Sequence, residues 1–191
     1  MTSPNATLKA TGSFVPDQTI HNEALDQFSS AAKLMISQKT GVFCRHHARS
    51  SQCTSDLALE AARRCLAQAA VEHDQVQAIM LSTSSPDRLQ PATATRLQHL
   101  LGASNAFAFD INSVCSGSTY GIAMAQAMIQ SGLCANVLFI AAEVYSKLLN
   151  PKDFATFPYF GDGAGAILFQ ADSASPAGGF GINFRNRRQR V

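Results

Sequence analysis

The chain has 191 residues, of which 46% are hydrophobic and 15% are charged. This length and composition are typical of one packed globular domain and exclude an intrinsically disordered chain. The formal net charge of +2 is too small to indicate a nucleic-acid partner or an anionic membrane surface.

The amino terminus and the cysteines indicate the cellular setting. Residues 1–5 carry neither a basic segment nor a long apolar segment, which predicts that no secretory signal is present. No apolar run approaches the roughly 18 residues that a membrane helix needs. The five cysteines have irregular spacings and no Cys-x-x-Cys pair, which predicts reduced thiols and neither a zinc site nor a disulfide framework. Together these features favour a cytoplasmic protein.

The first part of the chain predicts one strand, one helix and a long loop. Residues 6–15 have the pattern of a strand, and Pro16 follows it in a turn. A helix is expected after His21, with Asn22 as its amino-terminal cap. Residues 40–54 are polar and contain a glycine and a basic cluster, which predicts a loop.

Helices and strands alternate in the rest of the chain. A helix capped by Thr54 or Ser55 has apolar residues at helical spacing, and residues 74–82 predict a nearly continuous apolar strand. The later elements are predicted as a helix over 92–102, a strand over 106–112, a helix over 121–132, a strand over 135–144 and a strand over 166–170. Glycine ends both of these later helices, as is common just past a helix carboxyl end.

This alternation predicts an α/β domain with a largely parallel sheet. The strands around Ile79 and Leu138 are strongly apolar, so we expect both of their faces to be covered. The helix over 121–131 is rich in Ala and Met, which predicts burial on most of its sides at the centre of a structure.

Cys115 lies between the predicted strand over 106–112 and the predicted helix over 121–132. Backbone N–H groups and the positive end of the helix dipole favour a thiolate at such a junction. Small neighbours leave the sulfur accessible, as in a nucleophile elbow at the carboxyl end of a strand. These neighbours are Ser113, Ser116, Gly117 and Ser118. The alternative is a small buried core cysteine, and spacing alone leaves both interpretations open.

Two further segments carry alternatives. The glycine-rich residues 161–165 could form a phosphate cradle, but no Lys-Ser/Thr follows and a strand comes next, which favours a tight turn. The basic cluster of Arg45, His46, His47 and Arg49 fits either a site for an anionic phosphate or a solvated loop. The sequence leaves that second choice open.

Five segments, in order, resemble the ketoacyl-acyl-carrier-protein synthase III family of thiolase-like condensing enzymes. They are TGSFVPDQTIHNEAL, KTGVFCRHHA, STSSPDRLQPATATRLQHLLG, DINSVCSGSTYGIAMAQAMIQSG and FGDGAGAILF. The resemblance extends from about Thr11 to Ala171. It implies a thiolase-like fold over residues 1–179, with the family's N-terminal half present and its C-terminal half absent. Residues 180–191 depart from the pattern, and we expect them to form a disordered basic tail.

The family resemblance implies a reaction for Cys115. The thiol would accept an acyl group as a thioester, and the carbanion from a decarboxylating malonyl thioester would attack it to give a 3-ketoacyl product. No permanently bound cofactor is implied, because acyl-coenzyme A or acyl-carrier protein is the substrate. In the family, a His and an Asn from the C-terminal half bind the thioester oxygen, and no histidine of this chain stands in a matching context.

The residues expected near coenzyme A depart from the family pattern. The family often clamps the adenine between a Trp and an Arg, whereas Met35 and Lys147 fall near those positions here. Neither side chain reproduces planar stacking. Lys39 and Lys147 are therefore weak candidates for binding coenzyme A or the carrier's phosphopantetheine. Leu89 and Gln90 replace an aromatic that often lines the acyl pocket from the partner subunit, so the acyl chain length is not implied.

Three functions follow from the sequence. The first is a condensing enzyme of fatty acid or polyketide-type biosynthesis, in which a homo-oligomer or a partner chain supplies the missing half. Its partners would be acyl thioesters and acyl carrier protein, with neither nucleic acid nor membrane. The second is a non-catalytic half-domain that pairs with a full-length homologue. The third is a truncated gene remnant.

Overall fold

The computed structural model of the protein describes residues 4–172. Its strands are β1 (Asn5–Phe14), β2 (Gln18–His21), β3 (Cys44–His47), β4 (Ala78–Ser82), β5 (Phe107–Ile111), β6 (Asn136–Glu143) and β7 (Gly163–Asp172). Its α-helices are α1 (Ser30–Thr40), α2 (Thr54–Ala69), α3 (Thr93–Leu101) and α4 (Gly117–Gln130). Over these residues, none of the helices has both the length and the apolar character needed to cross a membrane. The tail expected over 180–191 lies outside the described residues.

The central sheet has five strands in the order β1-β7-β6-β4-β5. Strand β4 runs parallel to β5 and β6, whereas β7 runs antiparallel to β1 and β6. The α/β class with a mixed sheet is therefore confirmed, but only two of the four pairings are parallel. The expectation of a largely parallel sheet was wrong because no α-helix lies between β6 and β7. A parallel return needs such a crossover, and without it the chain turns back antiparallel.

Helices cover both faces of this sheet. Helices α2 and α3 pack on one face, and α4 packs on the other. Ile79 and Leu138 point to the first face, while Met80 and Phe139 point to the second, and all four are almost completely buried. The prediction that β4 and β6 are covered on both faces is confirmed. These apolar strands form the centre of the core.

Two aspartates, and not the predicted Thr54 or Ser55 side chains, hold the amino end of α2. Asp56 Oδ2 accepts a hydrogen bond from the backbone N–H of Cys53 at 2.7 Å. Asp87 Oδ1 accepts one from the backbone N–H of Ser55 at 3.0 Å. Carboxylates are favourable here because the helix dipole is positive at its amino end. The start of the helix is as predicted, but its capping groups are different.

The helix predicted to begin at Asn22 was wrong in position. A short 3-10 turn occupies Asn22–Ala24, and α1 begins only at Ser30, with the Ser29 hydroxyl as its cap. The Asn22 side chain is buried, where its amide donates to Val42 O at 2.8 Å and its oxygen accepts from Arg45 at 2.5 Å. Asn22 therefore fastens distant segments together and does not cap a helix.

The loop predicted over 40–54 contains strand β3, so that prediction was wrong for Cys44–His47. Strand β3 pairs antiparallel with β2, and Arg45 lies opposite Ile20. The Arg45 guanidinium donates to Ile20 O at 3.1 Å. Polar side chains that bond to distant segments make this strand resemble a loop in the sequence.

Helix α4 buries one stripe and not most of its surface. Its buried residues are Gly117, Gly121, Ala125 and Ile129. Tyr120 and Met124, on other sides of the helix, are exposed. The expectation of burial on most sides is not met among the described residues, because the central sheet is the single layer that packs against this helix.

Candidate active site

Two glycines bring the start of α4 directly onto the sheet. A Cβ atom at Gly117 would overlap Ser82 Oγ at the end of β4, and one at Gly121 would overlap the Phe139 ring. Any larger residue at either position would push the helix away. Cys115, two residues before α4, is thus held beside the carboxyl ends of β4 and β5, where α/β sheets place their functional groups.

The backbone around Cys115 forms a sharp turn. Val114–Ser116 form a 3-10 turn, and the Ser116 N–H donates to Ser113 O at 3.0 Å. Val114 has a φ of 41°, in the left-handed region that β-branched residues rarely adopt. Cys115 itself is exposed. The predicted strand-to-helix junction is therefore confirmed, and the alternative of a buried core cysteine is excluded in this structure.

An open cavity of about 370 Å³ contains Cys115. Its lining residues come from the ends of β4 and β6, from the elbow before α4 and from the segment that leads into β7. They are Ser82, Val114, Cys115, Ser118, Ala141, Ala142, Glu143, Tyr145, Phe160, Gly161 and Gly163. Most of these side chains are small or apolar, so the cavity suits an apolar group attached to the sulfur.

A stacked aromatic pair forms part of the cavity wall. The rings of Tyr145 and Phe160 have centroids 5.4 Å apart and an interplanar angle of 16°. Phe160 remains 43% exposed. Offset stacking adds stability beyond area burial and keeps both rings in a fixed orientation. The pair therefore gives the cavity a rigid apolar side.

Glu143 links the strand ends that line the cavity. Its Oε1 accepts from the backbone N–H of Ser84 at 2.8 Å, and its Oε2 accepts from Thr83 Oγ1 at 3.2 Å and from Ser85 Oγ at 2.5 Å. Ser85 Oγ in turn accepts from the Val144 N–H at 2.8 Å. Bonds to a charged carboxylate are stronger than neutral ones, so this network fixes the loop after β4 against the end of β6.

Asp162 anchors the segment that leads from the cavity into β7. The side chain is 4% exposed and accepts three hydrogen bonds. They come from Ala48 N at 2.7 Å, Ser146 N at 2.9 Å and Ser146 Oγ at 2.5 Å. Its neighbours Gly161 and Gly163 line the cavity. The tight turn predicted over 161–165 was wrong, because Gly163 already begins strand β7 and the two residues before it form an irregular link.

The five cysteines differ in their surroundings. Cys65 and Cys134 are buried, and burial raises the pKa of both thiols, that of Cys65 to about 11. Cys44 is exposed on β3, and Cys53 is half-buried before α2. Cys115 alone among them lines the cavity of about 370 Å³. Exposure and position together distinguish Cys115 from the other four.

The two lysines predicted to lie near coenzyme A are not among the residues that line this cavity. Lys147 Nζ donates to the backbone oxygens of Ser50 at 3.0 Å and Gln52 at 2.5 Å, so it fastens the loop before α2. It lies in the same 3-10 turn as Tyr145, near the cavity rim. Lys39 lies on the last turn of α1. Their role in binding coenzyme A stays a prediction.

The basic cluster is largely engaged in contacts within the chain. Besides the contacts of Arg45, His46 Nδ1 lies 2.6 Å from Pro16 O and Arg49 pairs with Asp17 at 3.2 Å. Burial lowers the pKa of His47, although the nearby Asp162 opposes this shift. The contacts of Arg45, His46 and Arg49 within the chain favour a structural role for the cluster over binding of an anion.

Sequence reasoning missed Glu143, Asp162, Tyr145 and Phe160 as residues of the site. Asp162 and Phe160 belong to the FGDGAG segment that carries the family resemblance, so the sequence contained a signal for them. Glu143 stands at the end of an apolar strand, and an acidic residue in that place indicates hydrogen-bond donors nearby in the fold. Nothing local predicts the stacking of Tyr145 on Phe160.

Comparisons with known proteins point to one family. Residues 109–186 match the family described as 3-oxoacyl-[acyl-carrier-protein (ACP)] synthase III. The beta-ketoacyl-[acyl-carrier-protein] synthase III of Acidiphilium cryptum is 41% identical over 164 residues, which are 86% of this chain and 51% of that protein. The Granulibacter bethesdensis enzyme of the same name is 41% identical over 170 residues, covering 88% of this chain and 53% of its own. The chain thus spans about half the length of these relatives.

Solved structures lead to the same family. The crystal structure of the Pseudomonas aeruginosa 3-oxoacyl-(acyl carrier protein) synthase III matches with a TM-score of 0.83 and 37% identity. The match covers 89% of this chain and 51% of that one. The Aquifex aeolicus synthase III matches with a TM-score of 0.82 and 32% identity, covering 88% and 54%. By sequence and by its thiolase-like fold, the chain matches the N-terminal half of the 3-oxoacyl-acyl-carrier-protein synthase III family.

Proposed function

We propose that this chain carries the acyl-accepting part of a 3-oxoacyl-acyl-carrier-protein synthase III-like condensing enzyme, with Cys115 as the nucleophile. One observation supports the proposal above the others. Cys115 is exposed in a mostly apolar cavity at the amino end of α4, and the hydrogen bonds of Glu143 and Asp162 fix the segments around it. A positioned and accessible thiol beside an apolar wall is suited to thioester exchange.

The acyl transfer is a thioester exchange. Cys115 Sγ attacks the carbonyl carbon of the incoming acyl thioester and forms a new carbon–sulfur bond. The bond from the carbonyl carbon to the carrier's sulfur breaks, and the carrier leaves as a free thiol with the proton that Cys115 gives up. The acyl chain then lies against the cavity wall of Tyr145 and Phe160. No oxidant or metal takes part in this exchange.

The second step would be condensation with a malonyl thioester. Loss of CO2 from the malonyl group gives a carbanion, which attacks the carbonyl of acyl-Cys115. The carbon–sulfur bond breaks, a 3-ketoacyl thioester forms, and Cys115 leaves as a thiolate that takes a proton from water. Family members place a His and an Asn at this step, and no histidine lines the cavity in the part of the chain that the structure describes. We therefore assign the acyl-accepting step to this chain and the condensation to an assembly that adds those donors.

The substrates we propose are acyl thioesters on acyl carrier protein or coenzyme A. This follows from the names of the relatives and from the chemistry of Cys115. A non-catalytic half-domain would share the fold but would not need an exposed thiol in a cavity. Acyl transfer to Cys115 therefore separates the two interpretations.

The test is incubation of the purified chain with the acetyl thioester of N-acetylcysteamine. We expect one acetyl group on the peptide that contains Cys115, found by mass spectrometry, and one equivalent of released thiol. The Cys115→Ser variant should release no thiol above background, while Cys44→Ser, which removes another exposed thiol, should behave as the wild type. Equal acetylation of Cys44 and Cys115 in the folded chain would refute the proposal.

A further inference from the structure

Val114 combines features that rarely occur together in one residue. Its φ is 41°, its side chain is β-branched, and it is 61% exposed. It also precedes Cys115 directly and lines the same cavity. Each feature has a physical consequence, and together they indicate what the side chain does.

The backbone conformation of Val114 is costly. An L-residue in the left-handed region brings its Cβ close to the backbone, and a β-branched side chain has few rotamers with which to relieve the contact. Ala70 also has a positive φ, but it ends helix α2, where that conformation is common. Val114 begins the turn that leads into α4, so its positive φ is not explained by the end of a helix. Glycine would adopt this conformation freely.

The usual advantages of valine do not apply at this position. Strand β5 ends at Ile111, so Val114 gains nothing from its preference for strands. The side chain is mostly exposed, so it does not fill the core. Its isopropyl group does form part of the cavity wall beside the sulfur. Strained residues cluster at functional sites, where the strain is retained because the residue has a role there.

We propose that the isopropyl group of Val114 limits the size of the acyl group that Cys115 accepts. This inference rests on the proposed function, since it concerns the acyl group transferred to Cys115. Val114, Tyr145 and Phe160 all line the cavity that contains Cys115, so we expect an acyl chain on Cys115 Sγ to extend along the wall that these three side chains form. An acetyl group ends within this space, whereas a longer chain must pass the two methyl groups of Val114.

Two substitutions change the size of the side chain in opposite directions, and one of them keeps the β-branch. Val114→Ala removes two methyl groups but keeps the Cβ, so an L-side chain remains in the left-handed region. Val114→Ile keeps the β-branch and adds one methylene. Val15→Ala is the matched control, because Val15 is a valine of similar exposure, 55%, that does not line the cavity.

The measurement is the rate of Cys115 acylation by the acetyl and the octanoyl thioesters of N-acetylcysteamine, followed by released thiol and by peptide mass. Selectivity is the ratio of the octanoyl rate to the acetyl rate. We expect Val114→Ala to raise this ratio about tenfold and Val114→Ile to lower it, since one or two methyl groups in an apolar pocket change discrimination by about that factor. Val15→Ala should leave the ratio unchanged.

Two different failures can be told apart. A wild-type chain that acquires neither acyl group on Cys115 would overturn the proposed function, and this inference with it. A wild-type chain that is acylated, with an octanoyl-to-acetyl ratio that stays within twofold in both Val114 variants, would overturn this inference alone. If the acetyl and octanoyl rates fell together in the Val114 variants, the inference would also be overturned. Val114 would then position the thiol and not select the acyl group.

Discussion

Ser85 donates its hydroxyl to Glu143 Oε2 at 2.5 Å, although 58 residues separate them in the chain. The same Ser85 oxygen accepts from the Val144 N–H, so a continuous path of hydrogen bonds joins the loop after β4 to the end of β6. Glu143 also lines the cavity that contains Cys115. This contact therefore fixes part of the site as well as part of the fold.

Replacement of Glu143 should lower the free energy of unfolding, slightly for Glu143→Gln and more for Glu143→Ala. Glu143→Gln must place an NH2 group against either the Ser84 N–H or the hydroxyls, and we expect a loss of about 1 kcal/mol in the free energy of unfolding. Glu143→Ala leaves buried donors without an acceptor and should cost about 2–3 kcal/mol. Urea denaturation provides the measurement. Glu60→Gln, at a surface ion pair, is the control and should change stability by less than about 0.5 kcal/mol.

Cys115 should be the first cysteine to react with iodoacetamide at neutral pH. It is exposed in an open cavity at the amino end of α4, and thiols at helix amino ends are commonly the reactive ones. Cys65 and Cys134 are buried with raised pKa values and should react last. Peptide mapping after limited labelling measures the order. Faster labelling of Cys44 or Cys53 in the folded chain would contradict this prediction.

The buried thiol of Cys65 should make stability fall at alkaline pH. Burial raises its pKa from 9.0 to about 11, so above pH 9 the unfolded chain loses this proton while the folded chain keeps it. Ionisation then favours the unfolded state, and we expect a loss of about 1 kcal/mol between pH 8.5 and pH 10. The comparison is with Cys65→Ala, whose free energy of unfolding should depend less steeply on pH over that range. Equal slopes for the two proteins would contradict the assignment.

This chain alone should show negligible condensation of an acyl thioester with malonyl-acyl carrier protein. The residues that line the cavity include no histidine over the part of the chain that the structure describes, and loss of one oxyanion donor often costs 100-fold or more, about 3 kcal/mol. Formation of the 3-ketoacyl product, followed by mass spectrometry, is the measurement. A rate near that of a complete synthase, abolished by Cys115→Ala, would show that this chain supplies the donors after all.

Local features of the sequence were sufficient to predict much of the fold. The end of α3 at Gly102 and the position of Cys115 between β5 and α4 depend on neighbouring residues, and both predictions are confirmed. The roles of Glu143 and Asp162 were not predicted. Asp162 binds the backbone of Ala48, 114 residues away, and such a partner leaves no local pattern.

The secondary-structure predictions that were wrong also failed because distant contacts decide the structure. Strand β3 was predicted as a loop because its polar residues find their partners on β2 and at Asn22, not in their own segment. The antiparallel direction of β7 depends on how the chain returns after β6, which periodicity does not encode. The sequence predicts elements well where capping and periodicity are local, and poorly where a distant contact decides.

The most direct test of the central claim is protection of Cys115 by an acyl donor. The chain is first incubated with the acetyl thioester of N-acetylcysteamine and then treated briefly with iodoacetamide, and labelling of Cys115 and Cys44 is quantified by peptide mass. We predict that acetylation blocks labelling of Cys115 and leaves labelling of Cys44 unchanged, and that hydroxylamine, which cleaves thioesters, restores it. Undiminished labelling of Cys115, with no acetyl group found on it, would contradict its role as the acyl-accepting nucleophile.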